Sequence, residues 1–319
     1  MIAALLTRHG APPRPTPYEL PEPVAGQCLV RVTAAPIAPL DLLCASGTSY
    51  FGAPALPYVP GVQGVGVVER GWAVGHRVWF ATDAGMKAGD GSLAQAAVVD
   101  EADIVPLPDG VGDAPAAALG LSAVAAWMAL TWRAQLRPGE RVLVLGAGGA
   151  VGQVAVQAAA VLGGEVVAAS RREFGRRRAL DRGATATVDL SGADVDELEA
   201  RMRAAAGPVD VVIDPVCGPA ATAALRVLGN GGRLVHLGAS GGATATFSSA
   251  GLRSGSNAIL GYTNNALSRE QRAEALTRVL ELAAAGRCEV SHETIGLDAV
   301  TDAWTRAGDS PDSRMVVVP

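Results

Sequence analysis

The stretch VLVLGAGGAVGQVAVQAAA (142–160) constrains the fold more than any other part of the 319-residue chain. It reads as an apolar strand, a glycine turn and an Ala/Val helix, the entry of a βαβ unit. The turn holds Gly146, Gly148, Gly149 and Gly152. A dinucleotide needs a tight turn at this place, backbone N–H groups within reach of a pyrophosphate, and a small residue where helix meets strand. The frame is Ala147-x-Gly149-x-x-Gly152, with Ala at the first glycine position, so the strict G-x-G-x-x-G form is not met. Ala147, Gly148, Gly149, Ala150, Val151 and Gly152 are the first candidates for cofactor contact. The plainer alternative is a tight βα corner.

Strands and helices alternate beyond the turn. EVVAAS (165–170) reads as a strand, Glu173 to Arg182 as a polar helix and DVVID (210–214) as a strand. A helix around Ala220 to Leu228 and the strand RLVHLG (233–238) follow. Buried runs alternating with helices predict a doubly wound parallel sheet. Upstream, roughly the first 110 residues carry short β-branched runs between turn residues, the signature of an irregular β unit. These runs are Leu29–Val32, Val65–Val68, His76–Phe80 and Gln95–Val99. Downstream come an amphipathic helix from Ser268 to Ala285, with Ser268 as N-cap, a shorter helix from Leu297 to Ala307, and a closing strand RMVVVP (314–319). Because both ends are β-type, we expect an α/β chain whose two ends fold together around an inserted Rossmann domain.

The second strand of the unit ends at Ser170, followed by Arg171 and Arg172. An acidic residue there would bond the adenosine ribose hydroxyls and favour NAD. A hydroxyl and two guanidiniums suit a 2′-phosphate instead, so NADPH is the expected cofactor. The alternative is a basic helix start on the surface, since Arg176, Arg177 and Arg178 continue the run.

Composition excludes several classes. A net charge of -5 leaves no basic footprint for nucleic acid. MIAALLTRHG (1–10) reads as a first strand rather than a signal peptide. No apolar stretch of about 18 residues lacks Gly or charge, so no membrane span is expected. Cys28, Cys44, Cys217 and Cys288 are scattered, which argues against a disulfide framework or structural zinc and for reduced thiols in a cytoplasm. His9, His76, His236 and His292 are far apart, and none pairs with a Cys or carboxylate in ligand spacing. His236 reads as a buried structural residue inside a strand. Lys87 is the only lysine, so a Tyr-x-x-x-Lys dyad is ruled out.

LPYVPGVQGVGVVE (56–69), GSLAQAAVVDEADIVPLPDGV (91–111), LRPGERVLVLGAGGAVG (136–152), DVVIDPVCG (210–218) and GNGGRLVHLG (229–238) together resemble the medium-chain dehydrogenase/reductase superfamily, specifically its zinc-independent quinone oxidoreductase branch. The resemblance covers nearly the whole chain. It implies a GroES-like catalytic domain over 1–117 and 258–319, a Rossmann domain over 118–257, an active site in the cleft between them, and a homodimer. In zinc-dependent relatives a Cys lies in the segment matching APIAPLD (35–41) and a His in that matching GVQG (61–64). Here those positions are Ala38 and Val62, neither of which can bind a metal. The branch commonly carries Asn at the position of Ala38 and Lys at that of Gly175. Their absence makes the substrate pocket less polar and leaves phosphate binding to Arg171, Arg172 and Arg176.

By family position, Asp41, Tyr50, Tyr58, Ser122 and Tyr262 are implied to line the site, and Val216, Leu237 and Gly238 to touch the cofactor with Ser122 and Tyr262. Asp41 serves equally well as a structural acceptor, and Tyr50 as a loop anchor. No side chain is identifiable as general acid. Alcohol oxidation needs a base or Lewis acid. An electron-poor quinone or enone needs mainly positioning beside the nicotinamide. The expected function is therefore metal-free, NADPH-dependent reduction of such an acceptor. The alternatives are a stand-alone enoyl reductase of a polyketide-type pathway and a non-enzymatic NADPH-binding protein.

Overall fold

The computed structural model describes residues 1–192, 194–309 and 313–319. The β-branched runs of the first part form β1 (Ile2–Leu5), β2 (Arg14–Pro17) and β3 (Gln27–Pro36). In β3, Cys28, Val30, Val32 and Ala34 are buried while Arg31 between them is exposed, the period of two that a half-buried strand requires. A short helix α1 (Pro39–Ala45) starts at a proline, whose fixed φ suits a first helical turn. β4 (Gln63–Arg70), β5 (Arg77–Ala81), β6 (Ala96–Asp100) and β7 (Ile104–Pro106) complete this part.

The helix α2 (Asp113–Met128) breaks at Gly120 (φ 35, ψ -133). A side chain there would collide with the Gln63 amide, so the bend needs glycine for space as well as for φ. With the π turn Ala129–Arg133 that follows, this is the one described helix long and apolar enough to cross a bilayer. Its most apolar window is 67% buried inside the protein, as a core helix is.

β8 (Arg141–Leu145), α3 (Ala150–Val161), β9 (Glu165–Ser170), α4 (Glu173–Asp181), β10 (Ala184–Asp189), α5 (Val195–Ala206), β11 (Val209–Asp214), α6 (Gly218–Arg226), β12 (Leu228–His236), α7 (Ser249–Gly255) and β13 (Ala258–Gly261) follow in alternation. Then come α8 (Arg269–Ala284), β14 (His292–Gly296), α9 (Val300–Gly308) and β15 (Arg314–Val318). β12 begins earlier than expected and stops at His236, which leaves Leu237 and Gly238 in the loop.

β8 to β13 form one sheet in the order β10-β9-β8-β11-β12-β13, with every pair parallel. The second large sheet runs β14-β15-β3-β4-β5-β7, with β6 also on β3. β15 pairs antiparallel with β3, Val316 opposite Pro36, so the two ends of the chain share a sheet. They also share a core, in which Leu6, Val30 and Phe80 pack with Trp304 and Met315. The parallel sheet has its own core of Leu143, Leu145, Val167, Met202, Val212 and Leu234.

The chain divides into two compact units, Met1–Leu121 with Arg269–Pro319, and Ser122–Ser268. The expected boundaries at 117/118 and 257/258 are displaced. Residues 258–261 belong to the parallel sheet, because the short apolar run AILG adds to its edge beside β12.

Candidate functional site

Counted from its first strand, the parallel sheet has the order 3-2-1-4-5-6, and its direction of growth reverses between β8 and β11. Such folds bind ligands outside the carboxyl ends of the strands at this reversal. The glycine turn lies there. Gly146 has φ 64, and a Cβ on it would lie 2.8 Å from Val216 Cγ2. A Cβ on Gly152 would collide with the Gly146 carbonyl oxygen. Gly149 caps α3 in extended conformation and donates its N–H to Gly146 O at 3.0 Å. Gln153 Nε2 ties down Gly148 O at 2.8 Å. The amides of Ala150, Val151 and Gly152 fall in the first turn of α3, where no carbonyl of the helix can reach them.

Two further loops meet the glycine turn. Asp214, 1% exposed at the end of β11, accepts from Val216 N (2.9 Å) and Cys217 N (2.7 Å) through Oδ1. Its Oδ2 is 2.8 Å from His236 Nδ1. Cys217 sits at φ 61, ψ -156, a region ordinarily open only to glycine. Gly238 abuts the Pro215 carbonyl, where a Cβ would come within 2.9 Å, and Gly241 N donates to Val216 O at 2.7 Å. Tyr262 N donates to His236 O, its ring meets Trp132 edge-on at 6.3 Å, and its hydroxyl donates to Asn264 Oδ1 at 2.6 Å. Burial pushes the Tyr262 hydroxyl pKa up, so it is a poor proton donor. Residues 146–152, 216, 237–238 and 262 thus converge at the carboxyl end of one sheet. Sequence reasoning passed over Asp214 and misread His236, which is the last residue of its strand and 39% exposed rather than buried inside it.

At the end of β9, Ser170 is buried, and a Cβ on Gly148 would lie 3.2 Å from its Oγ. A Cβ on Gly175 would lie 3.0 Å from Gly148 Cα, so α4 lacks room for a longer residue at that position. Arg176 is taken up internally by Ser170 O (2.9 Å), Arg171 O (3.0 Å) and Asp189 (2.9 Å), which corrects its expected role in holding phosphate. Arg177 pairs with Glu173, and Arg178 lies over the Phe174 ring. Arg171 is exposed, and Arg172 is the N-cap of α4.

In the other unit, Asp41 gathers backbone amides. Its buried carboxylate accepts from Ala38 N (2.7 Å), Val62 N (2.9 Å) and Gly61 N (3.2 Å). Burial pushes the carboxyl up to about 6, against the lowering effect of these N–H groups and of Arg314. Ala38 and Val62 are themselves buried. Gln63 Oε1 accepts from Leu121 N (2.6 Å) and Trp79 Nε1 (3.3 Å), leaving Nε2 without a partner among the described residues. Tyr58 is 5% exposed in the hydrophobic core, with burial first raising its hydroxyl pKa; it is a core residue rather than a polar lining. Tyr50 is 78% exposed, and its ring packs against Phe51 with centroids 4.2 Å apart. Ser122 is buried in α2. All four cysteines are buried and free, and the described residues contain no group of three or more His, Cys, Asp or Glu able to hold a metal ion.

A dinucleotide-type sheet in one unit and a β-rich unit closed by the chain's own terminus define a two-domain dehydrogenase architecture. Residues 24–109 match the alcohol dehydrogenase GroES-like domain, and residues 150–301 the zinc-binding dehydrogenase family. The quinone oxidoreductase of Mus musculus is 32% identical over 232 residues, covering 70% of this chain and 67% of that protein. The quinone oxidoreductase of Thermus thermophilus, solved alone and with NADPH, superposes with a TM-score of 0.85 at 30% identity over the full length of both chains. A segment of the polyketide synthase GfsB of Streptomyces halstedii is 38% identical over 193 residues, covering 57% of this chain and 3% of that protein. The chain belongs to the medium-chain dehydrogenase/reductase superfamily, in its quinone oxidoreductase branch.

Proposed function

We propose that this protein is an NADPH-dependent oxidoreductase that reduces a quinone or an α,β-unsaturated carbonyl without a catalytic metal. The carrying observation is the cradle at the end of β8, where Gly146 and Gly152 clear the space and the first-turn amides of α3 have no acceptor within the helix. That is the donor set a pyrophosphate needs. The NADPH complex of the Thermus thermophilus relative supports the choice of cofactor.

When bound, NADPH supplies the hydride from its nicotinamide ring. The amides of Ala150, Val151 and Gly152, with the backbone of Ala147, Gly148 and Gly149, hold the pyrophosphate. Ser170, Arg171 and Arg172 hold the 2′-phosphate, which Arg176 leaves to them. Ser122, Val216, Leu237, Gly238 and Tyr262 border the nicotinamide half. On an enone, hydride adds to the β-carbon, the electron pair moves to the carbonyl oxygen, and a proton arrives from solvent. A quinone becomes hydroquinone by the same balance. No base is needed, and Ala38 and Val62 offer no lone pair where zinc-dependent relatives hold their metal. Asp41 keeps its carboxylate on the amides of positions 38, 61 and 62, in a structural role.

The polyketide synthase match favours a second reading, in which the acceptor is the enone of a biosynthetic enoyl intermediate. The same proposal includes a homodimer, and a cytoplasmic setting in keeping with four free thiols. The test is NADPH oxidation followed by absorbance with a small quinone and a small enone, beside NADP⁺ reduction by simple alcohols. Turnover of either acceptor with alcohols inert is expected. Robust turnover of an unactivated alcohol, with both acceptors inert, would overturn the proposal.

A further inference from the structure

We propose that His236 is a positioning residue for the cofactor, acting through Asp214 on the turn 215–218. This rests on the NADPH-binding reading above and names a residue that serves it. The chain of contacts is continuous. The imidazole Nδ1 lies 2.8 Å from Asp214 Oδ2, and an ionised carboxylate only accepts, so the ring donates from Nδ1. Asp214 Oδ1 then holds the amides of Val216 and Cys217. Val216 in turn stands against Gly146, with no room for a Cβ between them. A shift of the carboxylate therefore reaches the glycine turn through Val216.

The turn is one that needs holding. Cys217 has a backbone conformation that costs a non-glycine residue energy and persists only where its surroundings over-determine it. The surroundings here are the two bonds from Asp214 and the bond from Gly241 N to Val216 O. A carboxylate at a strand end, with one oxygen on two amides, needs a partner on the other oxygen to fix its rotation. His236 is that partner, one strand over in the sheet, where Arg233 to His236 of β12 pair in register with Val211 to Asp214 of β11 and place His236 opposite Asp214. The same residue's carbonyl accepts from Tyr262 N, so one position ties the ends of β11, β12 and β13 together.

A merely structural role would lower stability and leave affinity alone. Positioning predicts a split. His236→Ala should raise the Kd and KM for NADPH roughly tenfold, the scale of one lost hydrogen bond to a charged group screened by solvent, with kcat at saturating NADPH within about twofold. His236→Asn places an amide N–H where Nδ1 stood and should restore the Kd to within about threefold of wild type. NADPH binding is read by fluorescence titration, with thermal unfolding recorded for each variant. An alanine variant that binds NADPH as tightly as wild type contradicts the proposal. So does an asparagine variant that binds as weakly as alanine, because the imidazole would then act otherwise than through Asp214. Wild-type protein that fails to bind NADPH would defeat the cofactor reading instead, and that is visible before any variant is made.

Discussion

Around Asp41, the amides of Ala38, Gly61 and Val62 all converge on one buried carboxylate. In the first turn of α3, the amides of Ala150, Val151 and Gly152 have no acceptor within the helix. Both places bring backbone donors together, yet one is closed on itself and the other is open. In the closed one the carboxylate answers three backbone donors, with the Arg314 guanidinium acting on it as well. The open one is the place proposed for the pyrophosphate. The proposed function depends on the second and not the first, and three experiments can break or sharpen that contrast.

The largest expected effect is on pH dependence of stability, through Asp41. Its folded pKa of about 6 lies above the 3.8 of an unperturbed aspartate, chiefly through burial. The folded state then holds the proton more tightly, so the group's stabilising contribution is full below pH ~4 and is lost as pH rises through ~6. About two pKa steps correspond to ~3 kcal/mol. Asp41→Asn cannot titrate, so wild type should lose roughly that much relative to the variant between pH 4 and 7 in denaturant unfolding. A difference independent of pH would mean that the carboxylate is ionised throughout and the closed site is an ion-pair network.

Next comes cofactor choice at the open site. Removing Arg171 and Arg172 together should lower the NADPH/NADH affinity ratio by on the order of 10²-fold at moderate salt, about two charge-assisted contacts discounted for exposure. High salt should narrow the wild-type preference. Arg176, held by Ser170, Arg171 and Asp189, is not expected to substitute. An unchanged ratio in titrations of the double mutant would reduce these arginines to a solvated surface.

The smallest effect is a gain. Cys217→Gly relieves a backbone conformation that costs a side chain ~1–3 kcal/mol, so unfolding stability should rise by about 1–2 kcal/mol. No gain would show that the turn relaxes at no cost, and that Asp214 has little to hold.

Legibility in the sequence followed periodicity and failed where long-range pairing decides. RVLVL and EVVAAS are strands at the residues expected, because continuous apolar runs between turn residues admit little else. β10 and α5 went unread; ATATVD is as long as EVVAAS, but Val188 is its only large apolar residue, so it lacks the continuous apolar run that marks the other strands. AILG read as part of the terminal unit because only its pairing with β12 assigns it. In the site, the glycine turn was readable from its glycines together with the strand before it and the helix after it. The bond between Asp214 and His236 joins residues 22 apart on neighbouring strands, and no local pattern carries that. Tyr58 was expected at the site by family position alone, whereas its ring packs into the core. The strain at Cys217 is a dihedral fact with no compositional trace.

The central claim is hydride delivery to an electron-poor acceptor from a dinucleotide site, with no metal at the closed locus. Its most direct test is the rate of NADPH oxidation by whichever small quinone or enone the protein turns over, before and after prolonged chelation, with metal content measured on the same samples. The account predicts an unchanged rate and no stoichiometric zinc. One tightly bound zinc per chain, lost together with activity, would contradict it.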